Sequence, residues 1–69
     1  MDENFKQLIE ELKAEIAEKI TDTNDEIRAM CLKTLESAEE NLDIPQSRAA
    51  ISRAIFTVRK LLENYLRFK

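Results

Sequence analysis

Sixty-nine residues with 14 acids, 11 bases and a formal net charge of −3 make one small acidic domain spanning residues 1–69. A chain of this length hides only about 60% of the surface its unfolded form exposes, so its core must be small and its stability marginal. Having no glycine and no histidine excludes phosphate-cradling loops of the Walker or dinucleotide type and removes the commonest general base and metal ligand. Phe5, Leu8, Ile9, Leu12, Ile16 and Ile20 then recur at spacings of three and four, which predicts an amphipathic helix over about 3–20. Asp2 and Glu3 suit its positive end.

The next segment, "TDTNDE", is rich in residues that prefer turns and caps. Thr23 and Glu26 have the spacing of a capping box, so a second helix is expected over about 24–42. Its apolar stripe is Ile27, Met30, Cys31, Leu35, Ala38 and Leu42. Ile44 precedes Pro45 and is pushed towards extended geometry, while Pro45 fits the first turn of a third helix over about 45–67. That helix has the stripe Ile51, Ala54, Ile55, Val58, Leu61, Leu62, Tyr65 and Leu66. No segment alternates as a strand does. The expected fold is therefore an all-α antiparallel three-helix bundle, for which dimerisation is one route to a completed core.

Chemistry is sparse. Cys31 is the single cysteine; it cannot close an internal disulfide, and on an apolar stripe without histidine it is expected to pack rather than react. Glu36, Glu39 and Glu40 read as a solvated helix face. "DTNDE" lacks the turn glycine and terminal glutamate of a calcium loop. No cofactor, metal or catalytic set is expected, and the longest apolar runs, about four residues, are far short of the roughly 20 needed to span a bilayer. The cysteine count and the want of a basic leader before an apolar segment point to a cytoplasmic protein.

Two residues stand apart from the stripes. At about 100° per residue, Leu32 and Phe56 each lie far round their helices from the stripe centre. Charge is divided as well: residues 1–44 carry a net of −8 and residues 45–69 a net of +5. Arg53, Lys60 and Arg67 recur every seven residues, forming an outward cation row beside Phe56. Basic side chains beside two acidic helices already gain favourable electrostatics, which is one account of the row. The other is a docking surface made of Arg53, Phe56, Lys60 and Arg67, with Leu32 as a further contact. Nucleic acid is a poor partner for a chain of negative net charge, and a membrane offers at most peripheral contact because the apolar face is needed for the core.

In order, "FKQLIEELKAEIA", "DEIRAMCLKTLESAEENLD" and "AAISRAIFTVRKLLENYLRF" resemble the enterocin A immunity family. The third segment is the most specific, its "ISR" and "NYLRF" being similar to that family's "ISRL" and "N-x-L-x-F". The resemblance implies a non-enzymatic protein acting from the cytoplasmic side, where it protects the cell from a pediocin-like bacteriocin bound to the mannose phosphotransferase permease. It also implies an antiparallel four-helix bundle, whereas this sequence ends at Lys69, where the family continues into a fourth helix and a C-terminal recognition segment. An inhibitor or adaptor presenting the same surface to a soluble protein, and a structural homodimer that covers Leu32 and Phe56, are the alternative readings.

Overall fold

The computed structural model describes residues 3–68, so the expected dipole contribution of Asp2 lies outside the described residues. Three α-helices follow one another: α1 (Glu3–Lys19), α2 (Glu26–Glu40) and α3 (Arg48–Phe68), the last preceded by a 3-10 turn at Pro45–Ser47. They form an all-α three-helix bundle 36 × 17 × 17 Å. Among the described residues there is no strand.

The core is the inner stripe of each helix. Ile9, Leu12, Ile16 and Ile20 of the α1 segment meet Cys31, Leu35 and Ala38 of α2 and Ile51, Ile55, Val58 and Leu62 of α3. No buried residue among those described is polar or charged. Burying a side chain such as Ile16 or Leu35 contributes about 1.5–3 kcal/mol, which makes these few residues the main support of a chain this size. Hydrogen bonding in α1 runs one residue past its end, since the Ile20 N–H still donates to the Ile16 carbonyl at 2.8 Å.

Four local expectations are corrected. Thr23 does not cap α2: Asp25 does, in extended geometry, its Oδ1 accepting from the Ile27 and Arg28 N–H groups at 2.8 and 3.1 Å. The turn before it is held by Asp22, whose Oδ1 accepts from the Asn24 N–H and whose carbonyl accepts from the Asp25 N–H. Hence α2 begins at Glu26, where Glu26 is the first helical residue and cannot reach back as a box partner. Met30, expected in the stripe, is 52% exposed, and Leu66 at the end of α3 is 37% exposed.

Leu32 is the fourth correction, for it is half-buried and packs against the core. The reason is visible in its neighbour Glu39, two turns along the same flank of α2, whose Oε1 pairs with the Lys13 ammonium of α1 at 2.9 Å. That flank faces α1. A helix in a three-helix bundle has two neighbours and needs an apolar band wide enough for both, so an apolar residue about 100° from the stripe centre still falls on the α1 contact.

Ile44 takes the expected extended geometry (φ −104°, ψ 107°) before Pro45. Pro45 starts the 3-10 turn, which leads directly into α3. At the other end of the bundle the Tyr65 hydroxyl of α3 hydrogen-bonds the Asp25 carboxylate, so the residue that caps α2 also tethers α3.

Candidate binding surface on the third helix

The outward face of α3 is set by the inward one. Ile51, Ile55, Val58 and Leu62 turn into the core, which leaves Arg53, Lys60 and Arg67 near the opposite side, with Phe56 between that side and α1. Phe56 is 60% exposed. The Lys60 ammonium lies over its ring, 5.5 Å from the centroid, a contact worth about 0.5–1 kcal/mol at an exposed site. This pairing follows from the i,i+4 spacing and gives the ring a fixed cationic edge.

The body's acids do not take up these cations. Among the described residues, Arg53, Arg59 and Lys60 form no ion pair. Arg67 reaches only Glu63 of its own helix, at 4.0 Å with both side chains well exposed, where such a pair contributes little. Arg48 stacks over the Phe5 ring at 5.8 Å, fastening the start of α3 to α1. The cross-helix ion pair that does form is Lys13 with Glu39, between the two acidic helices. Local neutralisation by contact therefore does not account for the cation row.

The structure brings Arg53, Phe56, Lys60 and Arg67 together on one helix face and places Leu32 elsewhere, on the α1-facing side of α2. It also reveals an apolar groove between α1 and α3. A cavity of about 460 Å³ has Leu8, Leu12, Leu62 and Leu66 in its walls and Glu11, Glu15, Arg59 and Glu63 on its rims. A second of about 190 Å³ adjoins it, bounded by Phe5, Ile55 and Phe56 and sharing Leu8 and Arg59 with the first. The order of these contacts, from Phe5 beside Ile55 to Leu12 beside Leu62, shows that α1 and α3 run in the same direction. A signal was present in the spacing of Phe56, Arg59, Glu63 and Leu66, which share the α1-facing edge of α3.

Cys31 is fully buried, and desolvation first, then the negative charge of Asp25, pushes its thiol pKa up. Both effects disfavour the thiolate that nucleophilic chemistry requires. Among the described residues no group of three or more His, Cys, Asp or Glu is arranged to hold a metal ion. No helix among them is long and apolar enough to cross a membrane. Comparison with protein-family models, with curated proteins and with solved structures finds no match for this chain. The likeness to the enterocin A immunity family thus rests on the quoted segments alone.

Proposed function

We propose that this chain is a non-catalytic protein-binding module that docks a protein partner with the outward face of α3. The observation that carries this reading is the exposed Phe56 ring, capped by Lys60 and set beside cations that the chain's own acids leave unpaired. An aromatic anchor ringed by cations supplies the two things a small interface needs: apolar area that is desolvated on contact, and charge that selects the partner. The partner's complementary surface is a pocket for one aromatic ring, bordered by carboxylates.

The family resemblance supplies the specific form of the reading: an immunity protein acting in the cytoplasm on the complex of a pediocin-like bacteriocin with the mannose phosphotransferase permease. Expression in a bacteriocin-sensitive strain tests it. Survival should rise against at least one bacteriocin of a panel, and Phe56→Ala together with Arg53→Glu should abolish the gain while the protein stays folded. No protection across the panel rejects the immunity form. Affinity capture with the same variants then decides the class of partner, because recovery of a soluble enzyme, lost on Phe56→Ala, identifies an inhibitor or adaptor instead.

A further inference from the structure

The α1–α3 groove has a charge pattern that the single chain does not satisfy. Glu11 on the α1 rim and Arg59 on the α3 rim line the same cavity, yet they form no ion pair. Within the chain Glu11 only accepts a hydrogen bond from Gln7, at 3.2 Å, and Arg59 makes none among the described residues. Between them lie four leucines, Leu8, Leu12, Leu62 and Leu66. An apolar floor with a carboxylate on one side and a guanidinium on the other is self-complementary.

Surface area points the same way. A folded monomer of 8.1 kDa is expected to expose about 4,500 Å². This chain exposes 5079 Å². The excess, roughly 600 Å², is comparable to the roughly 800 Å² that each partner contributes to a standard interface.

We infer that a second copy of this chain closes the groove, with α1 of each protomer lying against α3 of the other. Face-to-face two-fold symmetry allows either like helices to meet or unlike ones. Like helices would set Glu11 against Glu11 and Arg59 against Arg59; unlike helices set each Glu11 against an Arg59, twice. The second arrangement has its two-fold axis along the bundle and buries the leucines of both copies in a shared seam. It leaves Arg53, Lys60 and Arg67 on the outside, so the dimer neither requires nor excludes the docking function proposed above.

Sedimentation equilibrium on the full chain tests the inference. The mass should approach twice that of one chain at micromolar concentration, with helicity by circular dichroism unchanged on dilution. Leu66→Glu, at a position already more than a third exposed, should weaken association at least a hundredfold while leaving the monomer helical. Glu11→Arg and Arg59→Glu should each weaken self-association tenfold or more, and an equimolar mixture of these two variants should restore a dimer, because both rims are then complementary again. A concentration-independent monomer overturns the inference. So does a dimer that tolerates Leu66→Glu, or a failure of the two charge variants to rescue each other. None of these results depends on bacteriocin protection, so the docking reading stands or falls separately.

Discussion

Replacing Asp25 with alanine removes the two hydrogen bonds that start α2, at 2.8 and 3.1 Å, and the acceptor for the Tyr65 hydroxyl. Loss of an N-cap acceptor costs about 1–2 kcal/mol. A domain of this length has roughly 3–10 kcal/mol in total, so the cap is a sizeable share. With an unfolding entropy of about 2.1 cal/mol/K per residue, the same loss lowers Tm by roughly 7–14 °C. Thr23→Ala is the matched control, since Thr23 is exposed and makes no cap bond; its effect should stay within about 0.5 kcal/mol. Thermal and urea unfolding followed by far-UV circular dichroism measure both, and a fall in urea midpoint at constant slope identifies a change in stability. Equal or greater damage from Thr23→Ala would place the cap at Thr23 after all and refute the account of how α2 begins.

Three further outcomes follow from single side chains. The Tyr65 pKa is raised, first by desolvation and then by the charge and hydrogen bond of Asp25. A folded pKa above the unfolded value near 10 means a stabilising contribution that is complete below pH 10 and lost as pH rises through the folded pKa; unfolding midpoints should drop above pH 10, and less so in Tyr65→Phe. Cys31→Ser buries a hydroxyl where the core has no polar partner and should cost about 1–3 kcal/mol, whereas Cys31→Ala should be milder; the native thiol should react with alkylating reagents only at the rate of unfolding. Arg28 buries its Nε without a hydrogen-bond partner, so Arg28→Met, which keeps the packing of the stem, should raise stability by about 1 kcal/mol in the same urea assay.

Helix positions and most of the core were legible because periodicity reports burial directly: Ile9, Ile16, Leu35, Ile51 and Val58 sit at spacings that only one helix face can satisfy. Cap identity was not. "TDTNDE" offers Thr23, Asn24 and Asp25 as cap candidates within one turn, and the choice is made by the Asp22 turn and by the tether from Tyr65, forty residues away. The placement of Leu32 was likewise hidden, because one helix read alone shows one stripe, while its width depends on where two neighbours sit. The cation row needed only the seven-residue spacing of Arg53, Lys60 and Arg67. The groove beside it needed α1 and α3 to be placed side by side, which no local pattern specifies.

Phe56 separates folding from docking more sharply than any other position. The covered part of its ring, about two-fifths of the residue, is worth roughly 1 kcal/mol on the scale of a fully buried aromatic. Phe56→Ala forfeits that and the Lys60 contact but gains about 0.5 kcal/mol of helix propensity, leaving a net loss near 1 kcal/mol. An anchoring aromatic in an interface typically costs 2 kcal/mol or more when truncated. Phe56→Ala should therefore shift the urea midpoint only slightly while weakening partner binding at least thirtyfold, as read by titration calorimetry once a partner is in hand. A variant that unfolds would show the ring to be core after all; one that binds as well as the parent would show the cations alone to be the contact.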